Sequence, residues 1–436
     1  MPWKDILEAA QTTDTVEVST RVKKIIGLLI ESEALKVPLG SRLSIYASAK
    51  HEKIPVECVG FSNEGLLLMP YGVMDGISPG DKVVFESTSQ NIWVGDDLLG
   101  HVVNGEGKCI DGSQPKLNDS RPLYKESPSP LSRINEKDAF HTGIRSWDGF
   151  MSMGVGQRVG VFAGTGVGKS VLLGMIARNA DSDVNVLALV GERGHEVNEF
   201  IHGVLGEEGM KKSVVVVATS DQTPLVRIRA AFVAKTIAEY FAEKGKKVLY
   251  MMDSVTRMAM AMRELGLSVG EPPTTKGYPP SVFSTLPKLL ERAGRFGEGS
   301  ITSIISVLLE ADDIQDPIGD AVRGILDGHI VLDRNLANRG HYPAIDVTSS
   351  ISRWMTEIVD EEHLQYAIKG RKALADYKEA EDLINVGAYV AGSNPDIDDA
   401  IQLHPPINEF LCQQILEYAD PAELKEKMAQ VLEVPS

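Results

Sequence analysis

Residues 163–170 read Ala-Gly-Thr-Gly-Val-Gly-Lys-Ser, and they leave this chain few options. The apolar run Arg158 to Ala163 precedes them, and Val171, Leu172, Met175 and Ile176 recur at helical spacing behind them. A strand that ends in a glycine-rich turn and opens a helix lets successive backbone N–H groups converge on an anion. The helix N-terminus adds a favourable dipole. In such a loop Gly164, Thr165, Gly166, Val167 and Gly168 form the cradle, with Val171 just behind it. Lys169 reaches the β- and γ-phosphates and the Ser170 hydroxyl ligates magnesium, so the expected cofactors are ATP and Mg2+. Ala163 stands where the strict pattern has Gly, which is tolerable if that residue only closes the strand.

A phosphate loop needs a second acid. The apolar run Val248-Leu-Tyr-Met-Met-Asp253 supplies one at its end, so Asp253 is the expected second holder of the metal, across from Ser170. The same residue could instead cap the helix that follows. Hydrolysis further requires a group that orients and deprotonates water. Glu192, in Leu187-Ala-Leu-Val-Gly-Glu-Arg193, lies just past another apolar run, on the edge where ligands bind in doubly wound sheets. Arg193 beside it could touch the γ-phosphate, although spacing alone is equally consistent with a surface ion pair.

At 436 residues the chain is long enough for two or three domains at roughly 150 residues each. Residues 15–95 carry short β-rich runs (Arg42 to Ala47, Val56 to Phe61, Gly65 to Met69, Lys82 to Glu86) separated by turn formers, which predicts a small β-barrel or sandwich. Residues 111–135 read as an extended loop. From Gln157 apolar runs alternate with helical segments: 158–163, 184–190, 213–218, 247–252, 301–309 and 329–332. Runs apolar on both faces predict a parallel sheet covered on both sides, hence an α/β core. After Met355 the helical period dominates, with 368–380 and 407–418 as candidate helices. The expected divisions are therefore 1–14, 15–95, 96–355 and 356–436.

A formal charge of −17 argues against non-specific nucleic-acid binding. Residues 356–436 hold six basic against 17 acidic side chains, a face that could meet a basic partner. Three separated cysteines suggest neither disulfides nor a metal centre. No apolar stretch approaches the ~20 residues that span a bilayer, and the N-terminus does not read as a secretory signal, so the cytoplasm is the expected compartment.

The phosphate loop, Gly191-Glu-Arg-Gly-His-Glu-Val, Asp253-Ser-Val-Thr-Arg257, the Gly270 to Phe283 stretch, Asp327-Gly-His-Ile-Val-Leu and His341-Tyr-Pro-Ala-Ile-Asp-Val occur in the order seen in type III protein-export ATPases. The chain resembles that family, a relative of the rotary ATP synthase subunits, over residues 20 to 400. Asp312-Asp-Ile-Gln-Asp-Pro317 looks more like the flagellar than the virulence branch. His195 departs from a more usual Arg. The resemblance implies a homohexamer, each chain with an N-terminal β-barrel, a RecA-like ATPase core and a C-terminal helical domain. It implies Glu192 as catalytic carboxylate, Arg353 as the arginine that completes a neighbour's site, and Tyr342 as an aromatic that packs on adenine, where a buried core tyrosine is the plainer alternative. Expected partners are a dimeric regulator, a central stalk protein, export chaperone-substrate complexes and a membrane export gate, with membrane association only through them, at the inner face of the cytoplasmic membrane. Trp3, Ile6, Leu7 and Ala10 share one face of a short helix suited to the regulator, or fold against the barrel.

Rival readings are a virulence-system ATPase, an ATP-synthase-type subunit, an RNA-translocating hexameric helicase and a nucleotide-gated scaffold. The helicase would want a basic barrel with stacking aromatics, whereas residues 1–95 hold nine basic and 12 acidic side chains.

Overall fold

The computed structural model describes residues 17–134, 138–309 and 316–433, so the Trp3 to Ala10 stripe and residues 312–315 of the flagellar-type motif lie outside the described residues. The chain forms two compact units, one of residues up to 91 with 222–226 and 264–272, the other of the remainder.

In the first unit, six antiparallel strands close a barrel in the order Ser19–Ile26, Leu29–Ser32, Leu66–Pro70, Glu52–Phe61, Arg42–Ala47, Lys82–Ser87. Ser19 to Arg21 pair with Lys82 to Val84 and complete the circle, so the choice between sandwich and barrel resolves to a barrel. Alternation aims Val22, Ile30, Leu43, Ile45, Val56, Cys58, Leu68 and Val83 inward, where they form the core. The first hairpin turns at Gly27, whose φ of +58° only glycine adopts cheaply.

The second unit is built on a nine-stranded sheet. Its order runs Ile345–Ser352, Gly328–Leu332, Arg158–Ala163, Gly299–Leu308, Lys247–Asp253, Val184–Val190, Ser213–Ala218, Val102–Asn104, with Gly294–Phe296 pairing off the path. Neighbours on the path are parallel except at Ile345–Ser352, which runs antiparallel beside Gly328–Leu332. Burial on both faces explains the predominantly apolar runs: all seven residues of Val184–Val190 are buried, Asn185 among them.

Behind the sheet lies a charged cluster. The fully buried Arg292 guanidinium donates to both carboxylate oxygens of Glu239 (2.7 and 2.8 Å) and to the Leu123 carbonyl (2.9 Å). Lys235, also fully buried, places its nitrogen 3.6 Å from the Tyr250 ring centroid, and desolvation holds its pKa well below the ordinary lysine value.

Three helices, Glu361–Asn385, Pro395–Leu411 and Pro421–Leu432, form the C-terminal region, each capped by a side chain (Asp360, Asn394, Asp420). Phe410 meets Phe150 edge to face at 6.0 Å, and a Cβ on Gly370 would lie 2.5 Å from Phe150, so the helix Glu361–Asn385 sits close there. The expected helix 407–418 is corrected. The helix ends at Leu411, because the next free N–H, that of Gln413, donates to the Tyr342 carbonyl (2.9 Å) instead of to its own preceding turn. Among the described residues no helix is long and apolar enough to cross a membrane.

Glu239→Gln should leave the Arg292 charge uncompensated in the interior and cost about 3 to 5 kcal/mol in urea unfolding. Replacing both partners together, Arg292→Met with Glu239→Leu, should cost less than that single change; a strictly additive double variant would show that the pair does not interact.

Candidate nucleotide site

The loop that follows Arg158–Ala163 leads into the helix Lys169–Asn179. Gly166 and Gly168 take φ of +76° and +88°. Nothing crowds Gly166, so there the backbone alone demands glycine. At Gly168 a Cβ would also meet the Tyr342 ring at 3.3 Å. Val167 is buried and pins the loop to the core, while Thr165, Gly166 and Ser170 face outward. Leu172, Met175 and Ile176 are buried as expected, and Val171 packs against the same core.

The neighbouring strands end beside this loop. Asp253, buried at the last residue of Lys247–Asp253, accepts from Ser306 Oγ (2.6 Å) and from the Lys169 ammonium. Leu189 is level with Asp253 across the ladder, which puts Glu192 three residues past that level on the same edge. Its loop is pinned to the end of Ser213–Ala218 and just beyond by Gly191 N–H to Ala218 O (2.6 Å) and Ser220 N–H to Glu192 O (3.0 Å). Arg257 Nε lies 3.5 Å from the Glu192 carboxylate. At Gly191 a side chain would collide with Arg257 at 2.8 Å, so the glycine is what lets that arginine approach.

Burial and then the negative charge of Asp253 push the Glu192 carboxyl from its ordinary 4.5 up to about 7, against the opposing pull of Lys169 and Arg257. A carboxyl that gains and loses its proton near neutrality suits a general base.

Two expected contributors stand elsewhere. Arg193 is exposed and pairs with Glu196 at 3.5 Å, at the start of the helix Gly194–Glu199, so it does not join the Lys169 and Asp253 cluster. Arg257 takes the place beside Glu192; it lies on a helix face that sequence spacing does not distinguish from a solvated one. Arg353 follows Ile345–Ser352, whose end pairs with Gly328, while the phosphate loop follows Ala163, level with Leu332 at the other end of that neighbouring strand. Four residue steps at ~3.3 Å put the exposed Arg353 about 13 Å down the sheet, on the opposite edge. Tyr342 is 45% exposed, not a core tyrosine, and its ring lies against the loop at Gly168. Ser306 and Gln413 were also missed; neither falls in a motif.

The donors present fit magnesium: one buried carboxylate, Asp253, and one exposed hydroxyl on the loop, Ser170. Mg2+ keeps waters and phosphate oxygens as its remaining ligands, so such sparse protein ligation is what it requires.

A phosphate loop on a parallel sheet, with acids at the adjoining strand ends, defines an ATPase of the kind found in ATP synthase. Residues 143–352 match the nucleotide-binding domain of the ATP synthase alpha/beta family, and residues 359–430 match the T3SS EscN ATPase C-terminal domain. The flagellum-specific ATP synthase of Bacillus subtilis is 49% identical, with 98% of each chain covered. That of Pseudomonas aeruginosa is 48% identical over 95% of this chain and 93% of its own. The assembled ATPase EscN of the enteropathogenic E. coli type III secretion system superposes with a TM-score of 0.90 at 44% identity, covering 95% of this chain and all of that one. EscN in complex with its central stalk EscO gives 0.87 at 43% identity, with the same coverage. The chain belongs to the family of type III secretion ATPases that includes the flagellum-specific ATP synthases.

Because the folded chain holds the Glu192 proton more tightly than the unfolded one, the stability this group contributes is present below about 4.5 and is lost as pH rises through about 7. Glu192→Gln cannot ionise. Its stability relative to wild type, read by urea unfolding, should therefore climb between pH 4.5 and 8 by up to about 3 kcal/mol. A difference that does not change with pH would show that the carboxyl ionises as it does in water.

Proposed function

We propose that this chain hydrolyses Mg-ATP as a homohexameric ring and that hydrolysis energises protein export through a flagellar-type type III secretion apparatus, by releasing chaperones and unfolding and delivering substrates. Membership of the family supports the enzyme class, and the flagellum-specific relatives support the flagellar system. The observation that carries hydrolysis, as opposed to binding alone, is Glu192: a carboxyl held at the strand edge beside the Lys169 and Asp253 pair, with its proton affinity raised to near neutrality.

In this reading the N–H groups of residues 164–170 and the Lys169 ammonium bind the phosphates. Asp253 and Ser170 hold magnesium, which neutralises developing charge on the phosphoryl oxygens. Glu192 orients water and takes its proton; Arg257 steadies Glu192; the open face of the Tyr342 ring stacks on adenine. Arg353 serves the neighbouring subunit, since it stands at the wrong edge to serve its own. The domains are a partner-binding segment at 1–14, the barrel at 15–95, the ATPase core at 96–355 and the helical domain at 356–436. The segment 1–14 takes a dimeric regulator, and the ring takes a central stalk, by analogy with EscN and EscO. Chaperone-substrate complexes and a membrane export gate complete the set, placing the ring in the cytoplasm at the inner face of the membrane without contact to nucleic acid.

Glu192→Gln should bind ATP with wild-type affinity and lose at least about 10² in kcat. An unchanged kcat would move the base elsewhere.

Lys169→Ala should bind ATP poorly, whereas Arg353→Ala should bind it normally; both should be nearly inactive, the latter by about 10³ to 10⁵ in rate. Mixed rings of the two dead proteins contain interfaces that join an intact phosphate loop to an intact arginine, so part of the activity should return. If mass measurements confirm mixed rings and no activity returns, the arginine does not act across the interface.

A further inference from the structure

One buried amide links the nucleotide site to the C-terminal helices. Gln413 lies in the stretch between Pro395–Leu411 and Pro421–Leu432 and is 5% exposed. Its side-chain Nε2 donates to the carbonyls of Gly143 (2.8 Å) and Glu417 (2.9 Å), and its Oε1 accepts from the Arg145 N–H (2.9 Å). Both amide hydrogens are used, on main-chain groups of two separate segments. Its own backbone N–H donates to the Tyr342 carbonyl at 2.9 Å. The amide therefore fixes in space the residue from which Tyr342 is held.

The surrounding stretch is tied down in the same way. Arg145 donates to the Phe410 carbonyl (3.0 Å) and the Cys412 carbonyl and pairs with Glu417. From the far end of the phosphate-loop helix, Arg178 reaches the Ile415 carbonyl (2.6 Å) and Asn179 the Glu417 carbonyl (3.3 Å). So residues 412–417 touch the end of that helix, while Tyr342, bonded to Gln413, lies against its beginning at Gly168.

We propose that Gln413 is a positioning residue for ATP binding, acting through Tyr342, and that it conveys the placement of the C-terminal helices to the adenine end of the site. The inference rests on the assignment of Tyr342 to the base. A backbone pinned in this way holds its ring near the loop and lowers the ordering cost on binding, whereas a released loop must be ordered each time. The effect is confined to the base, since the phosphate loop makes its own contacts through residues 164–170.

The test compares two ligands on the full-length protein: Mg-ATP, which has a base, and Mg-tripolyphosphate, which has none. Gln413→Glu keeps the shape but sets a carboxylate oxygen against the Gly143 and Glu417 carbonyls. It should weaken ATP about tenfold in both Kd and KM, leave kcat at saturating ATP near wild type, and leave tripolyphosphate affinity unchanged. Tyr342→Ala should show the same selective loss, and the double variant should lose no more than Tyr342→Ala alone. If Gln413→Glu is recovered unfolded, Gln413→Met, which fills the volume without a charge, carries the same expectation. Equal weakening of both ligands would reduce Gln413 to general support of the fold and overturn the proposal. So would an unaltered ATP affinity in the Gln413 variants while Tyr342→Ala loses it. If Tyr342→Ala itself keeps full ATP affinity, the assignment of that ring to the base fails, and the proposal fails with it.

Discussion

In a parallel sheet every strand ends on the same edge, and the site in this chain depends on that polarity. The sheet is covered on both faces, so its strands are mostly apolar and the charged groups are displaced to where they stop. Arg158–Ala163 stops at the phosphate loop, Lys247–Asp253 at the buried aspartate, and Val184–Val190 just short of Glu192. Hydrogen-bond register, not local sequence, brings three distant segments level with one another. The same polarity works in reverse for Ile345–Ser352. It enters the sheet antiparallel, so its first end delivers Tyr342 to the loop and its last end carries Arg353 to the far edge. One topological choice sets an aromatic ring beside the loop and an arginine on the opposite edge.

The charges at the edge are matched before any ligand arrives. Lys169 satisfies Asp253, and Arg257 faces Glu192 across a wider gap. In the proposed reading a triphosphate would draw Lys169 toward itself and free Asp253 to hold magnesium, so binding would exchange partners without stranding a buried charge, the costly outcome in a dry site. Glu192 has the looser contact of the two acids, and its burial together with the charge of Asp253 raises its proton affinity.

Much of this was legible in the sequence. Arg158–Ala163, Val184–Val190 and Ser213–Ala218 have the bounds that their apolar runs imply, because a strand buried on both faces is mostly apolar between its ends; the polar residue inside Val184–Val190, Asn185, donates to the Ala177 carbonyl. The phosphate loop was legible because its glycines answer to local backbone geometry. The antiparallel edge strand was not: Ile345–Ser352 is rich in Ser and Thr and half exposed, so it lacks the signature of the buried ones. Arg193 and Arg257 could not be ranked from spacing, since each follows a strand end and only the fold shows that Gly191 opens room for the second.

The misread helix 407–418 has the same origin. An apolar period continues past Leu411, and local preference alone would carry the helix on. The chain leaves the helix because Gln413 finds a partner in another strand loop and its side-chain amide closes three further bonds with the main chain. The bonds to Tyr342, Gly143 and Arg145 span a wide stretch of sequence, and periodicity carries no record of such bonds. Local preference yields here because a buried polar side chain that has all its partners outweighs the helical turn it interrupts, whereas the same glutamine extended into a helix would leave the Tyr342 carbonyl and the Arg145 N–H without theirs.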